Sequence, residues 1–119
     1  MTGEEVSQLI QRELNRFSYE PPANEGLVGM PWSKERMAQE IHALRDALVA
    51  PKLLPVDVAD DPRSRALRMM WVITRPDSNG YVLVFDQEDQ RFGLAVNGGW
   101  GRPETVAVWG DLVSAYAAR

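Results

Sequence analysis

The stretch ALRMMWVITRPDSNGYVLVFDQEDQRFGLAVNGGWGRPETVAVW, Ala66 to Trp109, decides the fold, because its apolar runs are short and are separated by Gly, Asn and Asp turns. Successive side chains of a strand face opposite ways, so a run can be sorted into two faces residue by residue. Leu67, Met69, Trp71 and Ile73 share one face. Arg68, Met70, Val72 and Thr74 share the other, which is mixed and reads as only partly covered. Pro76 to Gly80 follows with a fixed φ, side chains that bond their own backbone and a residue tolerant of positive φ, which together specify a turn.

Tyr81 to Phe85 is apolar on both faces and reads as a central, well-protected strand. Asp86 to Gln90 is too polar to bury and connects to a strand whose Phe92, Leu94 and Val96 share a face. Gly93 and Ala95 leave its other face nearly bare, which admits a close neighbour or marks a bulge. A long turn from Asn97 to Pro103 precedes a last run, Thr105 to Trp109. Asp111 then caps a short helix striped by Leu112, Val113 and Tyr116.

Working outward toward the N-terminus, Thr2 with Glu5 fits a capping box, and Val6, Leu9, Ile10, Leu14 and Phe17 recur at helical spacing over residues 4 to 17. Ser18 to Trp32 holds three prolines and two glycines and reads as an extended crossing segment. Ser33 caps a second helix, with Trp32 stapled to Met37. Met37, Ile41, Leu44 and Leu48 form its buried face, and Pro51 sets its end near residue 50. Lys52 to Val58 is a candidate strand that Pro55, lacking a backbone donor, restricts to an edge. The expected architecture is α+β in a single domain over residues 1–119. Two N-terminal helices pack on one face of an antiparallel meander sheet of four or five strands, and a short C-terminal helix closes the chain.

Composition narrows function more by exclusion than by assignment. The chain has 119 residues, 45% hydrophobic and 25% charged, as an ordinary globular domain does. It has no Cys, which removes disulfides, thiolate catalysis and Cys-ligated zinc. A net charge of −4 opposes nonspecific binding to nucleic acid or anionic membrane. Glu4 and Glu5 stand where a signal peptide would carry positive charge, so a soluble cytoplasmic protein is expected.

Candidate sites are few. His42, the one histidine, falls on the polar side of the second helix, and no G-x-S-x-G elbow accompanies the serines, so no catalytic set emerges. Asp86, Glu88 and Asp89 look like an acidic calcium loop, but the central Gly and terminal Glu of that pattern are missing, and no cofactor is expected. Arg63, Arg65 and Arg68 could meet an acidic partner or form exposed ion pairs worth little.

The remaining feature is the loop of Gly98, Gly99, Trp100, Gly101, Arg102 and Pro103. It lacks the Lys-Ser/Thr of a phosphate loop, but Trp and Arg are enriched at the energetic centres of interfaces. Trp100 reads as an interface anchor or as a cap folded onto the core. The functional expectation is a small non-enzymatic module that binds another protein through Trp100, Arg102, Gly99, Arg63, Arg65 and Arg68, of the bacterial immunity, inhibitor or adaptor kind. The alternative is a small-molecule binding domain or small enzyme with its pocket between helices and sheet.

Overall fold

Caps in the sequence start the helices where they are found. In the computed structural model, which describes residues 1–18, 33–61, 64–97 and 101–119, helix α1 spans Gly3–Arg16. The Thr2 hydroxyl accepts from the Glu5 N–H at 3.2 Å, while the Glu5 carboxylate accepts from the Thr2 N–H at 2.9 Å. Two orphan donors of the first turn are thereby satisfied. Val6, Ile10 and Leu14 bury one stripe, and Leu9 and Phe17 pack beside it.

Helix α2, Lys34–Ala47, begins at Ser33, whose hydroxyl accepts from the Arg36 N–H. The Ser18 to Trp32 crossing segment, Ser18 itself excepted, lies outside the described residues, as does the Trp32 side of the expected staple. Helix α2 stops three residues short of the expected end. Leu48 is already extended, and the chain enters strand β1, Leu48–Asp61. Proline keeps its predecessor out of the helical region, so the helix must unwind before Pro51, not at it. The ladder breaks register between Leu48 and Lys52, across Pro51.

The other strands are β2, Ser64–Thr74, β3, Tyr81–Asp86, β4, Arg91–Asn97, and β5, Pro103–Gly110, followed by α3, Leu112–Ala117. Consecutive strands pair antiparallel in the expected meander. The open sheet, however, is corrected: β5 meets β1 in parallel at Glu104 and Asp57, and the five strands close as a barrel. Pro55 lies opposite Met69 in the β1–β2 ladder, while the other side of β1 is paired with β5 at Asp57, which leaves Pro55 the unpaired side that its missing donor needs. Only alternate residues of an antiparallel strand donate toward a given neighbour, which lets a proline sit within a paired strand. The placement of both N-terminal helices on one sheet face is corrected too. Helix α1 lies on β1, whereas α2 packs chiefly on α3.

The strands carry a cluster on each face. One joins the helices and holds Trp71, Ile73, Leu83, Phe85, Phe92 and Leu94 with Val6, Ile10, Leu44, Leu112 and Val113. The other holds Val56, Met70, Val82, Val84 and Ala95. The β2 face expected to be partly covered has Met70 and Thr74 buried and Arg68 and Val72 half-buried, while on the opposite face Trp71 and Ile73 are buried and Leu67 and Met69 emerge. Buried Thr74 accepts from the Leu83 N–H at 2.8 Å, so its hydroxyl is satisfied.

Turns follow their expected chemistry. Asp77 accepts from the N–H groups of Asn79 and Tyr81, and Gly80 takes φ 83°. On β4, a Cβ at Gly93 would lie 2.4 Å from the Trp109 ring and 2.9 Å from the Val108 carbonyl oxygen. The close neighbour that this bare face admits is thus an indole on the adjoining strand. Asp111 caps α3 through the Ser114 N–H, and Leu112, Val113, Ala115 and Tyr116 are buried.

Two measurements test this packing. Leu44→Ala empties a fully buried position and should cost about 2 to 5 kcal/mol, whereas His42→Ala, on a side chain 79% exposed, should cost under about 0.5 kcal/mol in chemical denaturation. The Glu5 carboxyl is held below its ordinary value of 4.5, chiefly by the Thr2 N–H bond. A depressed folded value adds stability that is complete above the unfolded value and lost as pH falls through the folded one. The melting temperature should therefore fall more steeply in wild type than in Glu5→Gln between about pH 5 and pH 3.

Candidate functional site

The barrel seam accounts for one expected contact residue. Asp57 on β1 is buried, and its Oδ2 accepts from Arg102 Nε at 2.9 Å. Nearby the Ala59 N–H donates to Thr105 Oγ1 at 3.0 Å. Arg102 thus spends a donor on its own chain at the point where β5 reaches β1, with its side chain still 40% exposed. Beyond that pair the two strands share no further register. Their free edges are poor templates for strand addition: β1 carries Pro51 and Pro55, and β5 bulges through Ala107 at φ 61°.

A second arginine is consumed more completely. Arg68 Nη1 lies 3.1 Å from Asp86 Oδ2 and 3.2 Å from Asp89 Oδ2, and its Nη2 bonds Glu88. Glu88 is the first cause of a raised Arg68 pKa. Arg91 approaches the same Asp86 oxygen at 3.6 Å and stacks over the Trp109 ring at 3.8 Å. Asp86, with its side chain 1% exposed, also uses Oδ1 to accept from the Glu88 and Asp89 N–H groups, which shapes the β3–β4 turn. The acidic loop is a lock closed by two arginines.

Of the other expected contact residues, Gly99, Trp100 and Arg63 lie outside the described residues. Arg65 falls in β2, and its side chain lies outside them as well. His42 is solvated, with Nε2 3.3 Å from Asp46 Oδ2 one turn on, and it lines no described cleft.

What the residue-type search missed is apolar. Leu67 is 57% exposed, Met69 50%, Val49 42% and Leu53 39%. In the β1–β2 ladder Leu53 faces Trp71, Pro55 faces Met69 and Asp57 faces Leu67. Directly opposed residues share a face, so Leu53, Pro55, Met69 and Leu67 form one strip continuing from Trp71, with buried Asp57 and its partner Arg102 at the Leu67 end. The alternation of β2 places Leu67 and Met69 on this face. Only the lengths of the hairpin and of the helices above it show that they emerge.

Three described clefts measure about 290, 240 and 260 Å³. The second, lined by Ser7, Gln11, Leu48 and Val49 among others, runs between α1 and the start of β1. The third, near the α2 C-terminus and Tyr116, has Arg75 bonded across it to the Asp46 carbonyl. All lie below the roughly 300–1,000 Å³ usual for small-molecule sites. Among the described residues no three His, Cys, Asp or Glu side chains are grouped to hold a metal ion, and no helix is long and apolar enough to cross a membrane. No family model matches the chain, and neither the curated proteins nor the solved structures give a match.

The lock should behave as a unit. Arg68→Ala leaves the buried Oδ2 of Asp86 with the longer Arg91 contact and should cost about 3 kcal/mol. In a double-mutant cycle with Asp86→Ala, measured by urea denaturation, the two losses should be far from additive.

Proposed function

We propose that the protein is a small non-enzymatic protein-binding module, of the immunity, inhibitor or adaptor kind, and that its contact surface is the outer face of the β1–β2 hairpin. The observation that carries this reading is the strip of exposed Leu53, Leu67 and Met69 with half-buried Pro55, at the end of a sheet whose other large apolar side chains are mostly buried. Apolar surface gathered on one face is what an interface core requires, and singly scattered apolar residues are not.

Charge does not compete for the role. Arg68 is neutralised by its own acidic turn, and Arg102 is paired with Asp57. Trp100 and Gly99 keep the role read from the sequence, as neighbours of Arg102 in the chain. A cysteine-free composition is compatible with work in a reducing cytoplasm. The small clefts give a small-molecule reading no comparable support.

The test is capture from native lysate on immobilised protein, followed by titration with whatever partner is captured. Leu67→Glu together with Met69→Glu should leave the melting temperature nearly unchanged, because both positions are solvated, and should weaken binding by about 2 kcal/mol or more. Undiminished binding by a folded double variant would remove the hairpin face from the function.

A further inference from the structure

We propose that Asn79 is a site of spontaneous modification, an Asn-Gly pair that cyclises and loses ammonia, and that the Asp77 clasp of the β2–β3 turn sets the pace of the reaction. Asparagine is among the chemically labile side chains, and it is most reactive before glycine, which has no Cβ to shield its own amide nitrogen. Asn79 is exposed, and Gly80 follows it.

The step needs only water. The Gly80 nitrogen gives its proton to hydroxide and bonds to Asn79 Cγ; the Cγ–Nδ2 bond breaks, and the departing nitrogen takes a proton from water and leaves as ammonia. Water then adds to one carbonyl or the other of the cyclic imide. Opening at the side-chain carbonyl restores the ordinary main chain as aspartate, and opening at the main-chain carbonyl routes the chain through the side chain as isoaspartate.

The folded turn holds the reacting nitrogen back. The Gly80 N–H donates to the Asp77 carbonyl at 3.0 Å, so its proton is engaged. Asp77 Oδ1 accepts from the N–H groups of Asn79 and Tyr81, each at 2.9 Å, which fixes the backbone on both sides of the reacting bond. The Asp77 N–H donates in turn to the Tyr81 carbonyl at 3.0 Å. Turning the Gly80 nitrogen onto Asn79 Cγ rotates the peptide between them and breaks the first of these bonds. The negative charge that forms on that nitrogen is also opposed by the Asp77 carboxylate beside it.

Reaction alters the turn for good. The imide has no Gly80 N–H, so the Asp77 carbonyl loses its donor. Aspartate places a second anion near Asp77, whose Oδ2 lies 3.7 Å from Arg119 Nη1, and isoaspartate lengthens the main chain inside the hairpin.

The experiment incubates the folded protein in mildly alkaline buffer beside a synthetic peptide of residues 75–83 and reads residue 79 by peptide mapping, with isoaspartate separated by its elution. Trypsin cleavage after Arg91 puts the other Asn-Gly pair, Asn97 and Gly98, in a different fragment. Residue 79 should convert in the folded protein about tenfold more slowly than in the peptide, and Asp77→Ala should recover about fivefold of that, the rate equivalent of the hydrogen bonds lost from the turn.

No conversion of folded wild type once the peptide has fully converted overturns the site. Equal rates in protein and peptide, or a folded Asp77→Ala variant that converts no faster than wild type, overturn the control by Asp77. Should that variant fail to fold, amide hydrogen exchange in wild type decides: Gly80 and Tyr81 N–H groups protected relative to the peptide uphold the clasp, and exchange at the peptide rate ends it.

Discussion

A carboxylate withdrawn from water must be answered by a partner, and at Asp57 the answer comes from the far end of the sheet. Arg102 reaches it across the seam, Glu104 stands opposite it in parallel register, and Thr105 takes the nearby Ala59 N–H. The last strand is thereby brought to the first. The five strands close there, Val56 and Met70 are sealed inside the sheet, and α3 follows directly on β5. Because β1 outruns the cover of the helices, the same pairing leaves part of the hairpin bare.

Local features were legible in the sequence because they depend on neighbours. The Thr2–Glu5 box, the Ser33 and Asp111 caps, the Asp77–Gly80 turn and the double-sided burial of β3 each need only a few consecutive residues to specify them. Closure was not legible, since nothing at Asp57 announces that Arg102 lies beside it. Pro55 was legible as a residue that cannot donate to one neighbour, but the sequence does not say which side of the strand has that neighbour. Leu67 and Met69 alternate as core residues do, and their exposure is decided by how far α1 extends over the hairpin.

The candidate contact residues divide along a physical line. Arginine was sought because it can pair with acids in a partner, yet the same property lets its own chain recruit it first. Arg68 is drawn into the β3–β4 turn, and Arg119 holds Glu40 of α2 while its guanidinium lies 4.1 Å over Tyr116. Apolar side chains have no such internal claimants once they lie beyond the helices. An exposed strip of them is for that reason a more specific sign of an interface than a cluster of cations.

Gly93 and Trp109 show how the barrel constrains the drift of its own sequence. The indole occupies the volume that any Cβ at residue 93 would need, and Arg91 stacks over the same ring. A substitution at either end of this stack is therefore tolerated only in company: a larger residue at 93 calls for a smaller one at 109, which in turn strips Arg91 of its platform. Relatives of this chain should vary at the three positions together, as a linked set.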